Sequence, residues 1–215
     1  MQFSVQFQYL LSQILVVPVM VTLLFLLFWS LLELGGFARE SQDRRRKTGN
    51  WKRFVDGIQG LKQDEVPQAA SRFFNSSDYP GFVAIFAVRG KTLFSNPVHL
   101  GKLVSELEIE ATHGQSRMNL GVRLGPALGL IGTLIPMGPA LLGLSAGNIQ
   151  AISGNLAVAF SSTILGLFAS AICYFIAIGR RHWYARDVSD IEYVCHLLYM
   201  DKDIEKEFHH EKQSV

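Results

Sequence analysis

The chain has 215 residues, 49% of them hydrophobic and only 18% charged, with a formal net charge of +2 at pH 7. So small a charge gives no electrostatic footprint for nucleic acid. The apolar residues are gathered in three blocks with the charges between them, a pattern of membrane spans rather than of a soluble domain.

The first block, Tyr9 to Leu34, is long enough to cross a hydrocarbon core of roughly 30 Å. Residues 1–8 carry no Lys or Arg and no small-residue cleavage site follows, which argues against a cleaved signal peptide. Arg44-Arg45-Arg46-Lys47 follows this span, so the N-terminus is expected outside and residues 35–120 in the cytoplasm. The same basic cluster favours anionic lipid. Arg39 to Asn50 is expected to continue the first helix, and Trp51, Phe54, Val55, Ile58 and Leu61 recur at helical spacing. A further helix is expected from Gln63 to Phe74, with Pro67 in its first turn, followed by a loop at Asn75-Ser-Ser-Asp-Tyr-Pro-Gly81. Periodicity leaves FVAIFAV, from Phe82, open between a short strand and a buried helical turn. From Val98, the spacing of Leu100, Leu103, Val104, Leu107 and Ala111 predicts a helix running towards the membrane, with Gly121 as a bend.

Leu124 to Gly179 contains no Asp, Glu, Lys, Arg or His, while Arg123 and Arg180-Arg181 bracket it. Two spans fit here, 121–147 and 152–179, joined by an external turn at 148–151. The tail, 180–215, is helical in pattern, with Val188, Ile191, Val194, Cys195, Leu198 and Tyr199 on one side. The fold class expected is an all-α membrane protein with three transmembrane helices, helical cytoplasmic extensions, an external N-terminus (1–8) and a cytoplasmic C-terminus. About 85 cytoplasmic residues bury little core alone, so packing against neighbouring copies is expected. Cys173 lies in a span and Cys195 in the tail, so no structural disulfide is expected. The chain has no CxxC, HExxH or paired Cys/His spacing, and His209-His210 sits in a charged tail; neither metal nor cofactor is expected.

On a helix, Gly125, Gly129, Gly132, Thr133, Pro136, Ala140 and Gly143 fall within roughly a 100° arc, as do Asn155, Ala159, Ser162, Thr163, Gly166, Ser170 and Cys173. Small residues let helices approach, which accounts for the glycines. Asn155, Ser161, Ser162 and Thr163 together are more polarity than packing needs, and a shared hydrated path is the competing reading. Neither span carries an Asp, Glu or His, so any carrier carboxylate on such a path must come from another protein.

Gly125-Pro-Ala-Leu-Gly-Leu-Ile-Gly-Thr133 and Ala157-Val-Ala-Phe-Ser-Ser-Thr-Ile-Leu-Gly166, in this order and topology, resemble the MotA/TolQ/ExbB family of ion-driven motor subunits. The resemblance covers about residues 98–185 and is weak to absent over 36–97. It implies a homopentamer in the inner (cytoplasmic) membrane around two single-span ExbD/TolR/MotB-like helices, each bringing an Asp. Thr133 and Thr163 would then be pore-facing, with Ser162 and Asn155 also along the ion path. Gly125, Gly129, Gly132, Pro136, Gly143 and Gly166 would serve helix packing. The cargo would be a proton or sodium ion, whose flow is coupled to mechanical work without bond chemistry. Val158 stands where the TolQ/ExbB branch has Glu, and Pro136 and Pro139 are unusual for that branch and are expected to kink the second span. The alternative is a membrane scaffold or assembly protein without ion conduction. An enzyme of lipid metabolism lacks a candidate nucleophile or acid–base pair, and Gly129-Leu-Ile-Gly-Thr lacks the Lys of a phosphate loop.

Overall fold

A computed structural model describes the backbone of residues 2–59, 65–76, 78–93 and 97–213, and the side chains of 14–58, 65, 68–76, 78–93 and 98–196. The side chains before residue 14 and those of Leu61, Gln63, Pro67, Leu198, Tyr199, His209 and His210 lie outside that description. The elements are α1 (Gln2–Gln59), α2 (Val66–Asn75), α3 (Gly81–Leu93), α4 (Pro97–Ser145) and α5 (Ile149–Gln213). No strand occurs among the described residues, and α1, α4 and α5 are each long and apolar enough to cross a membrane. FVAIFAV is therefore helical: Phe82, Val83, Phe86 and Ala87 all lie on the buried face of α3.

The chain divides into an apolar unit, 1–37 with 115–178, and a polar unit, 38–114 with 179–215. In the polar unit the tail and the segment after the first span, far apart in sequence, share one core. Trp51 from α1, Phe73 and Phe74 from α2, Phe86 from α3, Leu103 and Leu107 from α4, and Ile191 and Val194 from α5 are buried together. The expectation of a small, interrupted domain counts only the residues before the hairpin; the tail supplies the missing wall.

One buried ion pair organises this unit. Arg44 donates from both terminal nitrogens to Asp187, at 2.9 and 2.8 Å, and from Nε to Glu40 at 3.3 Å. Asp187 also accepts the Phe82 N–H at 3.0 Å, so a carboxylate sits at the positive end of α3. Gly81 precedes it at φ +51°, where a β-carbon would be strained and would run into both Arg44 and Asp187. The guanidinium lies over Trp183 and Tyr184, 5.2 and 5.7 Å from their ring centres. Burial opposes its charge, but the hydrogen bonds and charges of Asp187 and Glu40 together outweigh that and hold the Arg44 pKa above its usual value. The basic cluster is thus divided: Arg44 turns inward, Lys47 pairs with Asp43 at 2.9 Å, and Arg45 and Arg46 are exposed.

Candidate ion path along the α4–α5 seam

The hairpin turn is built by its own residues. Asn148 N–H returns to the Gly143 carbonyl at 2.9 Å and Gly147 N–H to Leu144 at 3.1 Å, a Schellman closure with Gly147 at φ +68°. Asn148 Oδ1 then accepts the Ala151 N–H at 3.0 Å and caps α5. The turn therefore occupies 146–148, and Ile149 already belongs to α5.

Below the turn the two small-residue stripes face each other. A β-carbon on Gly125 would stand 2.5 Å from the Gly166 carbonyl oxygen, and one on Gly132 2.7 Å from Ser162 Oγ. One on Gly166 would meet the Gly125 carbonyl and come within 3.1 Å of Gly129 Cα. The Gly125 and Gly166 contacts are with backbone, so no rotamer change relieves them. Pro136 and Ala140 are buried along the same line, and Gly143 closes it against Ala151.

Helix α4 continues through Pro126, Pro136 and Pro139. Proline has no N–H, so Pro126 leaves the Val122 carbonyl without its intrahelical donor. Ser170 Oγ supplies one, donating to Val122 O at 2.8 Å across the seam. In lipid no water is available for that task. Ser170→Ala is therefore expected to lower stability by about 1–3 kcal/mol, the cost of a buried unpaired carbonyl. Ser161→Ala, at an exposed hydroxyl bonded within its own helix, should change it little. Thermal denaturation of the two detergent-solubilised variants compares them.

Helix α1 covers one flank of the seam. Leu23 Cδ1 would lie 3.5 Å from a β-carbon on Gly132, Trp29 lies beside Gly121, and Trp29 packs with Met118, Ile172 and Ile176. Stepping about 100° per residue places Thr133 and Thr163 on the other flank. Both are half-buried, and the Thr133 hydroxyl donates to Leu130 O at 2.7 Å. Thr163 lies against Gly129, whose β-carbon would be 3.4 Å from its Cα. The other two expected ion-path residues are elsewhere. Ser162 is fully buried in the seam, bonded to Ala159 O at 2.7 Å. Asn155 is half-buried near the turn and donates to Ala151 O at 2.9 Å. The structure thus separates two hydroxyls on an uncovered flank from one that belongs to the packing.

Three helices long and apolar enough to span a bilayer, two of them in a charge-free, glycine-tight hairpin, mark a multi-pass membrane protein. A sequence model of the MotA/TolQ/ExbB proton channel family matches residues 82–192, just over half of the chain, and the chain belongs to that family. The match reaches from the first turn of α3 past Asp187 and Asp190, and so takes in the α3 and α4 parts of the polar unit's core and Ile191 as well as the hairpin, but not Trp51, Phe73 or Phe74. No individual curated protein matches the chain.

Proposed function

We propose that this protein is the ion-conducting subunit of a two-component motor in the cytoplasmic membrane, with its N-terminus outside and its polar unit in the cytoplasm. Several copies, by family analogy five, surround single-span partner helices, and a partner Asp carries a proton or sodium ion past Thr133 and Thr163. The observation that carries this reading is the uncovered flank. It offers two half-buried hydroxyls in spans that have no Asp, Glu or His, so the flank can hydrate or position a carboxylate but cannot replace one.

Thr133→Val and Thr163→Val keep side-chain volume and remove the hydroxyl. Each is expected to reduce ion-driven work by at least about tenfold, as for an interaction of one hydrogen bond to a charged group, while oligomer yield stays normal. The measurement is motor output in cells, paired with the size of the purified assembly. Full output from both valine variants overturns the assignment. Tolerance of both, combined with loss of assembly in Gly129→Leu or Gly132→Leu, favours the scaffold reading instead.

A further inference from the structure

A cleft of about 480 Å³ opens in the polar unit between α1 and α5. Along one wall α1 presents Ser41, Arg45, Thr48 and Lys52, a spacing of three to four residues that keeps all of them on one face. The opposite wall, from α5, presents His182 and Arg186, one turn apart. The floor is closed by the Arg44–Asp187 pair, by Trp183 beneath Arg44, and by Trp51, whose Nε1 donates to Asp190 at 2.7 Å. Two of the three acids lining the cleft are thereby engaged: Asp187 by Arg44 and the Phe82 N–H, and Asp190 by Trp51. Burial pushes the Asp190 carboxyl above its usual range, opposed by the Trp51 hydrogen bond and the Arg186 charge. The third acid, Asp56, lies one turn beyond Lys52 at one end.

Arg45, Lys52 and Arg186 are exposed at the rim, and none of them takes part in a salt bridge found among the described residues. Facing rows of guanidinium, ammonium and hydroxyl donors across a cleft are suited to a tetrahedral oxyanion. Forked arginine donors bind phosphate oxygens in pairs, and Lys and hydroxyls complete the shell. Ser41 follows the apolar span by only about two turns of α1, and His182 follows the third span by less than one, at the chain depth where headgroups begin.

We infer that this cleft binds a phosphate-bearing anion between Arg45 and Arg186, with Lys52 and Ser41 as further donors, the Thr48 hydroxyl already donating to the Arg44 carbonyl at 2.6 Å. The phosphate could belong to a lipid headgroup or to a soluble compound, and the two are separable. The full-length protein carrying Trp29→Phe leaves Trp51 and Trp183 as its fluorophores, both lining the cleft. In neutral detergent it is titrated with inorganic phosphate, with short-chain phosphatidylglycerol and with short-chain phosphatidylcholine.

A saturable change in tryptophan emission is expected with phosphatidylglycerol, with phosphate, or with both, and not with phosphatidylcholine. Saturation by phosphate assigns a soluble ligand; saturation by phosphatidylglycerol alone assigns a headgroup. Arg45→Ala/Arg186→Ala is expected to weaken the response by about tenfold or more, from the loss of two charge-assisted donors. Lys91→Ala, a basic change on α3 outside the cleft, should leave it unchanged. Arg45→Lys/Arg186→Lys preserves the charge and is expected to keep saturable binding, which guards against a double alanine variant that merely fails to fold. No saturable change with either anion, or an equal response from the double alanine variant, overturns the site.

Discussion

Gly166→Leu is expected to abolish the folded protein, and Gly166→Ala to lower its stability by about 1–3 kcal/mol, the cost of forcing extra carbon into a packed core. The sign is informative because Ala is intrinsically the better helix former, by about 1 kcal/mol. At Gly166 the new methyl meets the Gly125 carbonyl and Gly129 backbone, which move only if α4 and α5 separate. Separation would also break the Ser170 bond to Val122 and leave that carbonyl orphaned in lipid. A methyl group added at Gly35 or Gly154 would meet nothing within 4 Å, so Gly35→Ala and Gly154→Ala should be neutral or slightly stabilising. Thermal denaturation of the four single variants in one detergent gives the comparison. A Gly166→Ala protein as stable as Gly154→Ala would contradict the tight seam.

Asp187→Ala should cost about 3–5 kcal/mol, the usual penalty for removing one partner of a buried ion pair. The side chains of Arg44 and Asp187 are only 10% and 5% exposed, so solvent cannot compensate for the lost partner. Glu40 would remain beside Arg44, but the Phe82 N–H at the start of α3 would lose its acceptor. Arg44→Met is expected to be similarly damaging, because it strands a buried carboxylate on a single N–H donor. The double variant Arg44→Met/Asp187→Leu should be less destabilised than the sum of the single changes, since it leaves no unpaired charge. Cys195 offers the readout. Burial pushes its thiol up to about 12, so it is almost entirely protonated and shielded in the folded unit. In a Cys173→Ala background its maleimide labelling rate reports opening of the polar unit, and Asp187→Ala should raise that rate sharply. Equal labelling of the parent and Asp187→Ala proteins would show that the pair does not hold the unit together.

The spans are legible in the sequence because a bilayer imposes length and polarity rules that composition alone reveals. The two stripes are legible for a related reason: at 3.6 residues per turn, Gly125, Gly129 and Gly132 can only share a face. What single-helix periodicity does not decide is which hydroxyl faces the partner span and which faces away. Ser162 and Thr163 are neighbours, yet one is sealed against Gly132 and the other lies half-buried on the flank α1 leaves open. That distinction depends on where α1 sits, which is a tertiary fact. Ser170 carries a signal that is available in principle. A proline at 126 frees the carbonyl at 122, but nothing local says that a residue 48 positions later will satisfy it. Arg44 is hidden by its company: three exposed or surface-paired basic neighbours make the whole run read as a membrane anchor, while its partner Asp187 is 143 residues distant. FVAIFAV reads ambiguously because buried helices and buried strands are alike in a short apolar run.

The central claim is that the hairpin conducts only when a partner supplies the carboxylate. Its most direct test is ion flux into proteoliposomes, driven by an imposed gradient, with the protein alone and with a single-span partner that carries a mid-membrane Asp. No flux above empty liposomes is predicted for the protein alone, and gradient-driven flux for the pair, lost in Thr163→Val. Equal flux from the protein without its partner, or undiminished flux from the Thr163→Val pair, would contradict it.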